Sequence, residues 1–256
     1  MPKVIACSRR RPGLTRADYF RYLQFVHGTI SHKFAREEMG WYIQNHVVDG
    51  AFGTTAEDTH HQLSDRDAAV ELSFTSFPNL FATFEHPDVK EWVASDGKFF
   101  ADERHTIFMI TEECEKPVPN PIDPFNPGYE LAPGVGAGKV MQFLMRADGV
   151  YREDYYDYWN EAHEAAMEAS PFFKENVRRI VQSHRLDQSD NVKGHFGAGE
   201  IPIYDGVASY WFDTSDYYGA FRQYNDELMK FAKPWVDWSR SFYLYVKEIP
   251  IHHKER

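Results

Sequence analysis

Cysteine is nearly absent: Cys7 and Cys114 stand alone among 256 residues, which supplies neither a disulfide framework nor the Cys/His spacing of a zinc site. Cys7 sits in an apolar, strand-like run and reads as a buried, inert thiol. Long apolar runs are missing too, since none approaches the roughly 18 residues that span a membrane. The opening Met1-Pro2-Lys3-Val4-Ile5-Ala6-Cys7 lacks the apolar region of a signal peptide, so a cytoplasmic location without a membrane partner is expected. Basic residues are in deficit, 28 Lys and Arg against 39 Asp and Glu for a net charge of -11, and such a balance repels phosphate backbones and argues against nucleic acid. No Gly-x-Ser-x-Gly elbow, Cys-His pairing or nucleotide fingerprint occurs, which leaves covalent and redox-cofactor mechanisms without support.

What the chain has in quantity is core material, with 43% apolar and 16% aromatic residues. It also has a repeat. Gly13, Arg16, Asp18 and Tyr19 recur as Gly149, Arg152, Asp154 and Tyr155, each 136 positions later (149 − 13), and the same offset carries Tyr22 to Tyr158 and His27 to His163. Farther on, Gln44, His46 and Asp49 recur as Gln182, His184 and Asp187 at an offset of 138 (182 − 44). The matches are collinear, which marks a tandem duplication. Between the copies, 115–137 is dense in proline and glycine, which cannot sustain a helix or central strand. The expected organisation is a module at 1–114, a linker at 115–137 and a second module at 138–256.

Each copy alternates strand and helix periods. Lys3–Arg10 reads as a strand. Thr15 to about Ala35 reads as an amphipathic helix with Tyr19, Tyr22, Leu23, Val26 and Ile30 on its apolar face, opened by Thr15 with Asp18 three residues on as a variant capping box. Strands follow at Tyr42–Val48 and Ala69–Thr75, then a helix at Pro78–Val93 broken near His86-Pro87, then a strand at His105–Thr111. The second copy repeats the order with strands at 139–146, 178–186, 207–213 and 241–248 and helices at 151–170 and 216–236. The fold class is α+β, a ferredoxin-like β-α-β-β-α-β module twice over. Each four-stranded sheet leaves one face bare, so the two sheets must pack face to face or join into one barrel. Further association of the chain into a homodimer remains open.

The stretch Arg10-Arg11-Pro12-Gly13-Leu14-Thr15 with the helix Tyr19 to Gly28 ending in His27-Gly28, followed by Tyr42-Ile43-Gln44-Asn45-His46, resembles the EthD family of the dimeric α+β barrel superfamily. The second copy keeps Tyr158-Trp159 and His163 but has Asp148-Gly149 for Pro-Gly and Glu164 for the glycine. The resemblance, over about 3–113 and 139–249, implies an intrachain dimeric α+β barrel with a small-molecule pocket between helices and sheet. It does not imply one reaction: relatives include accessory proteins of ether degradation, dehydratase-like and cyclase-like proteins, cofactor-free monooxygenases, muconolactone isomerases and, more distantly, haem enzymes.

Candidate chemistry centres on histidine, which exchanges protons near neutral pH without a cofactor. His27 and His163 are the first candidates, weighed against helix-end histidines that merely bond a carbonyl or carboxylate. Tyr22 and Tyr158, five residues upstream, lie near but not squarely on the same helix face, and read either as polarising hydroxyls or as core. His46 and His184, each with a glutamine two residues earlier on the same strand face, point either into a pocket or to solvent. The adjacent His60-His61 lacks a third ligand at a recognisable spacing, so no metal is expected. Haem has only His163 or His184 as candidate axial ligands and no attachment motif, so no cofactor is expected. Gly134–Val140 imitates a phosphate loop but has Pro133 where a glycine belongs and runs into a strand. Gly194–Gly199 is either a loop over a pocket mouth or a plain connection. These readings converge on a cofactor-independent lyase or isomerase, dehydratase-like, acting on a hydrophobic aromatic or cyclic small molecule. The alternatives are a cofactor-free monooxygenase on an activated phenol, and a non-catalytic binding or accessory protein of a catabolic pathway.

Overall fold

In the computed structural model, residues 1–35, 39–53, 61–63, 66–121, 138–187, 204–213 and 216–253 are described. The first module runs β1 (Pro2–Ser8), α1 (Arg16–Arg21), a π-helical turn (Tyr22–His27), α2 (Gly28–Lys33), β2 (Met39–Gly53), a short β3 (His61–Leu63), β4 (Ala68–Phe74), α3 (Phe77–Glu85), a second π-helical turn (Val89–Val93), a 3₁₀ turn (Ala94–Phe99), another at Glu103–His105, and β5 (Ile107–Lys116). The second runs β6 (Gly138–Leu144), α4 (Arg152–Ala169), α5 (Pro171–Asn176), β7 (Val177–Arg185), β8 (Gly206–Phe212), α6 (Tyr217–Ala232) and β9 (Phe242–His253). The Pro/Gly-rich run from 122, the Gly194–Gly199 loop, His60 and the side chain of His61 lie outside the described residues.

Local chemistry explains the repeated start of each module. Gly13 and Gly149 hold φ of 94° and 85°, the left-handed region that an L side chain avoids, so both copies need glycine at the turn before the first helix. Thr15 then caps α1, its hydroxyl accepting from the Asp18 N–H at 3.1 Å, as the capping pattern predicts. Ser76 and Asp216 cap α3 and α6 in the same way.

The strands form one antiparallel sheet in the order β3-β2-β4-β1-β5-β7-β8-β6-β9, and β2 also pairs with β9. With β3 an outlier on β2, the remaining strands close into a barrel. Sequence left open whether the sheets stack or join; the seams decide it. Strand β5 continues past its expected end to pair Thr111–Lys116 with Ile180–Arg185 of β7, and β2 pairs with β9 from Trp41 to Gly53. Both seams join module to module, and closure removes the sheet edges.

Alternation puts one side of every barrel strand inside and the other beneath helices. Ile5, Cys7, Met109, Met141, Phe143, Val207, Leu244 and Val246 fill one part of the interior with atoms from both modules. The rest is polar. Lys3, Glu71 and Lys139 are buried there, with Glu71 bridging Lys3 at 3.0 Å and Lys139 at 2.5 Å, while Glu113 and Glu248 hold the outer flanks of the two lysines. Outside the barrel, α4 and α6 cover the second module over a core of Trp159, Tyr155, Tyr210, Tyr224, Phe173 and Phe221, all fully buried. The first module packs less completely, and its gap is the candidate site.

Candidate functional site

A cavity of about 100 Å³ lies between the first module's sheet and its helices. Leu23, Met39, Leu72, Phe84 and Phe100 make much of its wall, while His27 and Glu103 bring an imidazole and a carboxylate to the lining. Convergent polar groups in an apolar hollow are the usual form of a small-molecule site.

His27 reaches this cavity because the helix beneath it is irregular. Across Tyr22–His27 the turn is π-helical, and the Gly28 N–H donates to the Leu23 carbonyl, five residues back. An ordinary α-helix would set residues five apart roughly 140° away from each other; a π turn closes its bond at that spacing, so Tyr22 and His27 come onto one side. Both meet Asp96, carried by the 3₁₀ turn after α3. The Tyr22 hydroxyl donates to Asp96 Oδ1 at 2.8 Å and His27 Nδ1 lies 2.9 Å from Oδ2. Asp96 is 6% exposed. Burial works to raise its carboxyl, but the hydrogen bonds from His27 and Tyr22 outweigh that and hold it below its ordinary value, so it is an anion that only accepts. Nδ1 of His27 therefore carries a proton, and in the neutral ring the lone pair is the one on Nε2. Burial and the bond to Asp96 push the Tyr22 phenol up to about 12, so it stays a donor committed to Asp96.

Gln44 grips the irregular turn from below. Its Nε2 donates to the Leu23 carbonyl at 2.8 Å and its Oε1 lies 3.1 Å from His46 Nε2. Gly28 makes the approach feasible: a Cβ there would sit 3.3 Å from the Leu23 oxygen, 3.4 Å from the Gln44 amide and 3.1 Å from Ile251, tighter than side chains normally pack. His46 stacks on Phe20, centroids 4.5 Å apart, and burial lowers it to about 4, with Lys247 adding to the shift. It is a neutral packing residue beneath the helix, outside the cavity lining.

The second module carries the same residues in a different arrangement. Helix α4 is α-helical throughout Arg152–Ala169, so Tyr158 and His163 diverge: Tyr158 is 43% exposed and His163 4%. His163 Nδ1 meets the Tyr224 hydroxyl at 2.7 Å, where the first module offers a carboxylate, and burial holds it neutral, lowered to about 4. Glu164 occupies the position of Gly28. The Gln182–His184 pair persists at 3.2 Å with His184 stacked on Tyr156, yet Gln182 Nε2 has no hydrogen-bond partner among the described residues. His184, too, is lowered to about 4 by burial. Both rings are held by aromatic neighbours, His163 by Tyr224 and His184 by Tyr156 and Trp159. No cluster of three metal-ligating side chains occurs among the described residues.

The matched glutamines offer a direct test of the grip. Gln44→Leu removes the second donor to the buried Leu23 carbonyl and leaves it the Gly28 N–H alone, and a hydrogen bond of this kind contributes about 0.5–1.5 kcal/mol. Gln182→Leu removes no such bond. Urea unfolding should show a larger loss for the first; equal losses would mean that the Leu23 carbonyl does not depend on Gln44.

Of the six residues singled out from sequence, Tyr22 and His27 are thus brought together, His46 and His184 underlie their helices, and His163 and Tyr158 part. Asp96 and Glu103 went unnoticed. Both lie on short 3₁₀ turns without periodicity, though Asp96-Gly97 after a kinked helix was a visible cue.

The family model described as EthD domain matches residues 11–104 and 147–233. No curated protein matches the chain in sequence. Among solved structures, a provisionally assigned chlorite dismutase is similar at 15% identity, TM-score 0.52, over 96% of this chain and 94% of its own. A provisionally assigned monooxygenase from Fusobacterium nucleatum subsp. nucleatum is similar at 6% identity, TM-score 0.52, over 99% and 98%. At these identities the likeness is one of fold.

Proposed function

The chain belongs to the EthD family, and from that premise we propose that its first module is a cofactor-independent lyase or isomerase that moves a proton on a hydrophobic aromatic or cyclic small molecule. The observation that carries this reading is the Asp96–His27 pair at 2.9 Å at the wall of an apolar cavity that His27 lines. Asp96 fixes the tautomer, so Nε2 is the base. A proton taken there can be returned to the same molecule at another carbon, giving an isomer, or to a departing hydroxyl, giving the product less water. Tyr22 steadies Asp96 rather than touching substrate. The filled second module then serves as the other half of the barrel.

The test is mass spectrometry of an aromatic metabolite pool incubated with wild-type protein, His27→Ala and His163→Ala. A substrate-minus-water product or an isomer should form with wild type, persist with His163→Ala, and fall by about 10²- to 10⁴-fold with His27→Ala. Unchanged turnover in His27→Ala would remove it from the mechanism. Oxygen uptake with product would assign the oxygenase reading, and retention of a metabolite without conversion the accessory one.

A further inference from the structure

Taking the cavity as the substrate site of that reading, we infer that its ligand is an uncharged molecule of a single ring and that Glu103 is the residue that excludes anions. Size sets the first limit. An apolar cavity of about 150 Å³ takes up benzene, and this one is smaller, about 100 Å³, so a single ring is the upper limit and a fused second ring has no room. Charge sets the other. No lysine or arginine lines the cavity, and its electrostatics come from two carboxylates, Glu103 in the wall and Asp96 behind His27. Gly97, next to Asp96 in sequence, lets Glu103 lie close: a Cβ on Gly97 would stand 2.9 Å from Glu103 Oε1. No cation pairs with Glu103 among the described residues. Lys98 is near enough to pull on it, but its ammonium sits over the exposed Phe99 ring, 5.2 Å from the centroid. Burial nevertheless raises the Glu103 carboxyl above its ordinary value. A ligand carboxylate would enter a hollow with negative charge on one side, apolar wall on the others and no counter-ion, the arrangement that excludes like charge. A neutral carbonyl or hydroxyl meets no such penalty and finds His27 Nε2 and Glu103 as its polar partners.

Benzamide and benzoate share a shape and differ in charge, so they isolate the effect. Titration calorimetry at neutral pH with wild-type protein should show benzamide binding about tenfold or more tightly than benzoate, and 2-naphthamide more weakly than benzamide. With Glu103→Gln, benzoate should gain roughly tenfold. Equal affinity for benzamide and benzoate, or binding of neither amide, would overturn the ligand class. An unaltered preference in Glu103→Gln would overturn the part assigned to that residue. Because these are equilibrium affinities, they stand apart from turnover: selective benzamide binding by a protein that converts no metabolite would remove the catalytic reading and leave this one.

Discussion

Glu71→Leu is expected to destabilise the fold by about 3–5 kcal/mol, the usual cost of removing one partner from a buried ion pair. Among the described residues Glu71 is the one carboxylate that touches both central lysines, Lys3 from the first module and Lys139 from the second, and the Asn45 side-chain amide donates to it at 2.9 Å. Register pairs Ile5 with Glu71 and Met141 with Ser209, so Ser209 is the counterpart in the other module. Its hydroxyl has no hydrogen-bond partner among the described residues, and Ser209→Ala should change little. Urea unfolding of the two variants checks the contrast; a loss below about 1 kcal/mol in Glu71→Leu would mean that Glu113 and Glu248 suffice for the lysines. The same group sets an acid limit. Burial works to raise the Glu71 carboxyl, but Lys139 and Lys3 prevail and hold it far below its ordinary 4.5. A carboxyl depressed on folding is protonated more readily when unfolded. Its stabilisation is therefore complete above about pH 4.5 and declines as pH falls from there toward the folded value.

The parts of this molecule that could be read from sequence are those governed by near neighbours. The positive-φ glycines, the Thr15 cap and the alternation of strand and helix depend on a few consecutive residues, and each recurs at a fixed offset. Module pairing was legible only as a need to cover two bare sheet faces, because the seams join Thr111 to Arg185 and Trp41 to His253, partners no local pattern connects. The site was half legible. His27 and Tyr22 stood out, but their spacing was that of an α-helix until Gln44 and Gly28 held a π turn in place, and Asp96 joins them from 69 residues away. The same spacing in the second copy, without glycine at 164, gives a regular helix and a packed core. Recurrence marked His46 and His184 correctly as a matched pair, yet what recurs is their stacking beneath the helix on Phe20 and Tyr156.

Asp96→Asn is expected to lower turnover by about 10²- to 10⁴-fold while the protein stays folded, the range of a positioned base with its upper end at the effect of replacing the corresponding carboxylate in a Ser-His-Asp triad. The carboxylate accepts from both Tyr22 and His27. An amide in its place keeps one accepting oxygen, which the Tyr22 phenol can occupy, and turns its NH₂ toward the imidazole. Nδ1 must then accept, the proton moves to Nε2, and the cavity faces a donor where it had a base. Tyr22→Phe leaves the carboxylate and its bond to His27 in place, so its loss of turnover should be much smaller. Nitrogen NMR of the His27 ring separates this from a merely structural role: wild type should show Nδ1 protonated and Nε2 bare, Tyr22→Phe the same, and Asp96→Asn the reverse. If Asp96→Asn keeps the wild-type tautomer and loses turnover only in step with stability, Asp96 supports the fold and does not position the base.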